Sequence, residues 1–216
     1  MPKAELNLTE MRSMFIYAAA GLEARKDLLT EADRAIGDGD HGVGMARGFA
    51  AVHQRLEGHA FPGVGEMLDA IGMTLLTNVG GAAGAIFGTF FRAGAKSLTG
   101  VKVFDSAALA EMLTLGLEAV QSRGGANPGD KTVVDALEPA ARRANELKEV
   151  SLATAFTEVS EQARRGMEST KDMLPRVGKA KPLGARALGH ADPGALSMYL
   201  LLKHMAGYVV GEKELS

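Results

Sequence analysis

The sequence predicts an all-α protein, an up-and-down array of eight antiparallel helices. Three observations carry that expectation. Apolar residues recur at three- and four-residue spacing almost throughout, clean alternating runs of β-branched residues are scarce, and the breakers between periodic stretches are mostly short.

The first helix is expected from about Thr9 to Asp33. Asn7 and Glu10 form a capping-box-like pair at its start, and Met11, Met14, Phe15, Ala18, Ala19 and Leu22 share one stripe. Further helices are expected over 43–56, 64–78, 84–97, 105–122, 131–147, 151–173 and 194–210. The breakers between them are "EGHAFPG", "NVGGAAG", "SLTGVKVFD", "SRGGANPGD", "LKEVS" and the long "MLPRVGKAKPLGARALGHADPG". No repeat, low-complexity tract or flexible linker divides the chain, so residues 1–216 read as a single domain. The Met and Phe stripes, including Phe87, Phe90 and Phe91, read as core.

Composition excludes several classes of function. With 216 residues and 46% apolar content the chain can bury a real core. A formal net charge of -2 with interspersed signs provides no basic field for nucleic acid, and 5% aromatics leave few stacking platforms. The chain has no cysteine, hence no disulfide or thiolate metal site. The opening "MPKAELNLTEMRSMF" has charges where a signal peptide is apolar. The most apolar run, "ALSMYLLLKHMAGYVVG", is broken by Lys203 and His204 and reads as a buried helix rather than a membrane span. The cytoplasm is the expected compartment.

Parity then becomes informative. If eight helices alternate up and down, the starts of the second, fourth, sixth and eighth lie at one end with the close of the first. The segments arriving there are "GDGDHGVG", "VGGAAGA", "GGANPGDKT" and "GHADPGA", each rich in glycine. A helix N-terminus offers unsatisfied N–H groups and the positive end of the macrodipole, and glycine lets an anion approach the backbone. Phosphates on a nucleotide usually come with Mg²⁺, which takes hard oxygen ligands. Asp33, Asp38 and Asp40 supply three carboxylates at that same end.

Plainer readings stand beside this one. An aspartate in a glycine-rich turn is commonly a cap or an Asx-turn. His41 and His190 taken alone read as hydrogen-bonding residues rather than catalysts. "GGANPGDKT" is not a P-loop, because Asp130 separates Gly129 from Lys131 and no strand precedes it. "GVGMARG" lacks the spacing and the strand of a dinucleotide fingerprint.

"IGDGDHGVGMARGF", "VGGAAGAIFGTFFRA", "PGDKTVVDALEPA" and "LGHADPGA" together resemble the nucleotide-binding L subunit of the dihydroxyacetone kinase family, in order over nearly the whole chain. The resemblance implies an eight-helix antiparallel barrel with ADP or ATP and two Mg²⁺ at one end. It implies that Asp33, Asp38 and Asp40 hold the metal. It also implies nucleotide contacts from His41, Gly42, Val43, Gly44, Ala82, Ala83, Gly124 and Val133. Lys179, Asp192, Pro193 and Gly194 would close over the nucleotide from the last connection.

The chain departs from the family's habit at Gly44 (often Asn), Ala83 (often Ser) and Lys179 (often Arg), which bears on nucleotide affinity. The implied partners are a K subunit that holds the ketone on a histidine and, for one of two donor routes, a phosphohistidine carrier of the phosphoenolpyruvate phosphotransferase system. Free ATP is the other donor. No catalytic side chain is expected here, since transfer would rest on positioning and charge neutralisation. Oligomeric state stays open, a homodimer included. Two rival readings remain: an L-type subunit for a four-carbon keto sugar such as erythrulose, and a non-catalytic nucleotide-sensing module.

Overall fold

The structure is a computed structural model that describes residues 2–212. Among these residues there are nine α-helices: α1 (Leu8–Ala24), α2 (Lys26–Ile36), α3 (His41–Leu56), α4 (Val64–Asn78), α5 (Gly81–Ala95), α6 (Ser106–Gly124), α7 (Val133–Glu146), α8 (Leu152–Ser169) and α9 (Pro193–Val210). The expected first helix is two. At Arg25 the backbone turns to φ -95°, ψ 12°, and its N–H bonds back to Leu22 and Glu23. No glycine or proline marks this break, so the apolar spacing runs through it. The other expected helices are present with ends shifted by a few residues, and the last turn expected of α8 is a 3-10 turn, Thr170–Asp172.

Local sequence accounts for these boundaries. Asn7 accepts from Glu10 N–H while the Glu10 carboxylate accepts from Asn7 N–H, so the expected capping box starts α1. Thr132 and Asp135 form a second box on α7. Asp192 caps α9, with Pro193 in its first turn, and left-handed Gly211 ends it.

Consecutive helices from α3 to α9 pack side by side, α3 and α9 both pack on α1, and the ring closes. With short connections this is the expected antiparallel barrel. Phe15, Phe90 and Phe91 are buried in edge-on contact, with ring centroids 5.8 Å and 5.0 Å apart. Burial of each such side chain contributes roughly 1.5–3 kcal/mol. Helix α9 is buried nearly all round, and no helix among the described residues is long and apolar enough to cross a membrane.

The end opposite the expected site is closed by backbone. A two-residue strand, β1 (Leu6–Asn7), pairs antiparallel with β2 (Val103–Phe104). Lys3 bonds to Val209 and Ala153, and Ala4 accepts from Leu152. The 57–63 and 96–105 connections also meet there, through Val64 N–H on Val101 O at 2.8 Å. Strands this short leave no periodic signature, and the sequence did not reveal them.

Candidate functional site

Asp33 lies in the last turn of α2, and Asp38 and Asp40 lie in the turn that follows. The Asp33 carboxylate folds back over Gly37, where a Cβ would come within 2.2 Å of Oδ1, so a side chain after α2 would displace this carboxylate. Its other oxygen accepts the N–H of His41, the first residue of α3, at 3.1 Å. Asp33 is buried while Asp38 and Asp40 are exposed, yet one oxygen from each lies within 4.8 Å of the others. Three carboxylates this close repel, and only positive charge relieves them. Lys179 supplies one: its ammonium lies 2.5 Å from Asp38 and 3.6 Å from Asp40. That contact holds the Asp38 carboxyl below its ordinary range and raises the Lys179 ammonium. An all-carboxylate set of this span suits a hard divalent cation.

Around it the N-termini of α3, α5, α7 and α9 converge, as parity required. Two adjoining clefts of about 190 and 500 Å³ share Asp33, His41, Ala82, Ala83 and Lys179. The smaller has apolar walls from Ile36, Ile86, Phe87, Val133, Val177 and Pro193. The larger opens over Asp40, Val43, Gly44 and the turn at Gly80 and Gly81. Gly80 and Gly81 have φ of 83° and 57°, a conformation that turns α4 into α5 within two residues and suits glycine. An apolar slot joined to a cleft bordered by helix N-termini and carboxylate oxygens that could hold a cation fits a ligand with one flat apolar end and one anionic end.

Most of the residues expected at the site line these clefts; three do not. Gly42 is buried against α2, where a Cβ would come within 2.3 Å of Lys26 O and Thr30 Oγ1, so packing there asks for glycine. Gly124 is exposed at the end of α6, 3.5 Å from Ile86 by its virtual Cβ, at the rim rather than in the cleft. Asp38 joins the carboxylate cluster without lining either cleft. At Gly44 a Cβ would meet Val79 O at 2.8 Å, so α3 runs too close to the end of α4 for a larger residue without a shift of backbone.

Other residues escaped the sequence reading. Arg47 closes the end of α4 through Asn78 O at 2.6 Å and Val79 O at 2.7 Å, and it lines the larger cleft. The His41 ring bonds to buried Ser197 Oγ at 2.7 Å and ties the aspartate turn to α9. Burial pushes His41 down, against the pull of Asp33 and Asp40, which favours the neutral ring. Ser197 is 156 positions away, and no local pattern announces such a pair. Ile86 and Phe87 sit on the helix stripe that reads as core, and the cleft is cut into that core.

Lys131 is also enclosed, 1% exposed, with its ammonium on two backbone carbonyls. The near-match to a P-loop is therefore not one: although Lys131 borders the smaller cleft, no strand leads into it, and its ammonium is committed to those two carbonyls. Burial lowers it, against Asp192, Asp135 and Asp172. Asp192 itself is half-buried as a residue, but its carboxyl is desolvated and pushed up to about 7.

Residues 35–207 match the DAK2 domain family. The chain is 40% identical over 182 residues to the ADP-binding subunit DhaL of the PEP-dependent dihydroxyacetone kinase of Escherichia coli (strain K12), covering 83% of this chain and 87% of that protein. It is 34% identical to L-erythrulose kinase of Pectobacterium atrosepticum, over 85% of this chain and 33% of the relative. Among solved structures, the dihydroxyacetone kinase from C. freundii in complex with AMP-PNP and Mg²⁺ superposes with a TM-score of 0.74 at 26% identity. The match covers 95% of this chain and 34% of that one, so the chain spans about a third of the solved kinase.

Proposed function

We propose that this chain, which belongs to the DAK2 domain family, is the nucleotide-binding subunit of a dihydroxyacetone kinase. One observation carries the reading: three carboxylates with oxygens within 4.8 Å of one another lie where four helix N-termini meet beside an apolar slot. Asp33, Asp38 and Asp40 would hold Mg²⁺, two ions on this reading, and the metal when bound neutralises phosphate charge. The remaining work falls to the chain itself. The slot between Ile86, Phe87, Val133 and Pro193 takes the base of ADP or ATP, Ala82 and Ala83 lie where the two clefts join, and backbone N–H groups at the helix starts orient the phosphates. Lys179 stands as the side-chain cation over the phosphate end. Phosphoryl transfer asks mainly for this positioning, and the acceptor ketone belongs to a separate K subunit.

For the donor we favour a retained ADP recharged by a phosphohistidine carrier over free ATP. The relatives covered to 87–88% of their own length are ADP-binding subunits of PEP- or PTS-dependent dihydroxyacetone kinases, at 34–40% identity, which supports this route and dihydroxyacetone as substrate. We treat residues 1–216 as one nucleotide-binding domain, supported by a buried apolar cluster drawn from α1 to α9. We place the subunit in the cytoplasm, in keeping with its lack of cysteine. Calorimetric titration of ADP with and without Mg²⁺ tests the site: tightening by Mg²⁺ is expected, and metal-independent binding contradicts the reading. Addition of a K-type subunit with either ATP or a phosphorylated carrier then separates the donors, and dihydroxyacetone against erythrulose separates the substrates.

A further inference from the structure

The long connection between α8 and α9, residues 170–192, is anchored from outside itself. Lys131 reaches between its two ends and donates to Thr170 O at 2.5 Å and His190 O at 2.6 Å. Two more bonds close the same base: Asp192 N–H to Thr170 Oγ1 at 2.9 Å, and Gly189 N–H to Lys171 O at 2.8 Å. Asp130, the neighbour of Lys131, accepts from Arg176 N–H at 3.1 Å further along the connection. Lys131 is also the one non-glycine residue among those described with positive φ, 60°. A lysine is poorly suited to that backbone, and such strain persists only where the surroundings over-determine it.

A buried ammonium is a costly way to fill space, because an aliphatic side chain of similar length packs without a desolvation penalty. What the ammonium adds is several donors at one point, aimed at carbonyls from two distant parts of the chain. Between those two carbonyls runs the segment that carries Lys179 to the aspartates, and the second leads straight into the Asp192-Pro193-Gly194 turn.

We propose that Lys131 is a positioning residue that clasps the two ends of the 170–192 connection, so that Lys179 and the turn before α9 stand over the cleft before the nucleotide arrives. The inference rests on the nucleotide reading for its consequence but not for the clasp. Pinning both ends removes most of the freedom that ligand binding would otherwise have to quench. If release lets the competent arrangement fall to about a tenth of the population, apparent affinity falls about tenfold.

The test uses the full chain. Amide hydrogen exchange over 171–192 is compared without ligand in the parent, Lys131→Met and Lys179→Met, and Mg²⁺-ADP binding is then measured by calorimetry. Lys131→Met keeps the aliphatic length and removes the donors. It is expected to speed exchange at Gly189 and Asp192 and to raise the Mg²⁺-ADP dissociation constant about tenfold, with helical content by circular dichroism unchanged. Lys179→Met should weaken binding and leave exchange at Gly189 and Asp192 as in the parent, which separates contact from positioning. Lys131→Arg, which restores donors, should recover part of both effects. Unchanged exchange at Gly189 and Asp192 in Lys131→Met overturns the clasp, and faster exchange with parental affinity overturns its link to the cleft. If Lys131→Met does not fold, Lys131→Gln is read in the same way. The parent is a further arm: Gly189 and Asp192 amides that exchange as fast as those of 178–180 also overturn the clasp. A parent that does not bind Mg²⁺-ADP defeats the nucleotide reading, while the exchange comparison still decides the clasp.

Discussion

Asp33 Oδ2 accepts the backbone N–H of His41 at 3.1 Å, so a carboxylate from the end of α2 satisfies the first orphan donor of α3 while it faces the candidate metal position. The cap and the ligand are one side chain. Asp33→Asn keeps an acceptor for His41 and removes the charge. It is expected to leave unfolding within about 1 kcal/mol of the parent and to abolish the tightening of ADP by Mg²⁺. Asp33→Ala should lose both, with the cap worth roughly 0.5–2 kcal/mol. Calorimetry beside thermal unfolding decides; an Asp33→Asn variant that still responds to Mg²⁺ makes the residue structural only.

Asp38 and Asp40 make no cap of their own: the side chain of Asp40 forms no capping bond although it sits at the N-cap of α3. Their exposed pairing with Lys179 contributes little to stability. Asp38→Ala and Asp40→Ala should therefore melt like the parent yet bind Mg²⁺-ADP more weakly. Earlier melting with parental affinity is the contrary result.

Asp192 provides a pH signature. Its carboxyl stands at about 7 in the folded chain against an ordinary 3.8, chiefly through desolvation. A raised acid group means that the folded chain binds more protons than the unfolded one between these values. The stability it contributes is complete below about pH 4 and is lost as pH rises through 7. Asp192→Asn keeps the cap on Ala195 N–H and cannot titrate. Melting temperatures of parent minus variant, followed from pH 4 to 8, should fall with pH; a flat difference contradicts the shift.

Gly42→Ala addresses packing. A Cβ there meets Lys26 O, Thr30 Oγ1 and Thr30 N at 2.3–2.4 Å, two of them backbone atoms that cannot rotate away. Alanine favours a helix interior by about 0.5–1 kcal/mol over glycine, but overpacking of this kind costs roughly 1–3 kcal/mol. Chemical denaturation is expected to show net destabilisation, and a stabilised variant removes the packing role.

Much of this was legible before any coordinates. Helical spacing fixed the class of fold, and parity, applied to four glycine-bearing breakers, placed Asp33, His41, Ala82, Val133 and Pro193 at one end. The break at Arg25 preserved the count of ends, because α2 continues towards the same end as α1, and so left that parity intact. It was invisible because an ordinary helix-forming residue sits at it. The close packing of Gly42 on α2 was not legible, because glycine beside a phosphate and glycine beside a neighbouring backbone look alike in one dimension. Lys131 was hidden for a different reason: its two acceptors are main-chain carbonyls 39 and 59 positions away, and carbonyls have no sequence identity.

Ring closure by α9 has a consequence for synthesis. Thirteen of its eighteen residues are buried, against α1, α2, α7 and α8 together. The ribosome delivers α1 first and α9 last, so while the intervening helices assemble neighbour by neighbour the apolar faces of α1 and α8 that await α9 remain wet. Such exposed surfaces are where nascent chains aggregate or recruit chaperones. Translation arrested before Pro193 should yield a chain held by chaperones, and arrest after Val210 has left the exit tunnel should yield one that is released.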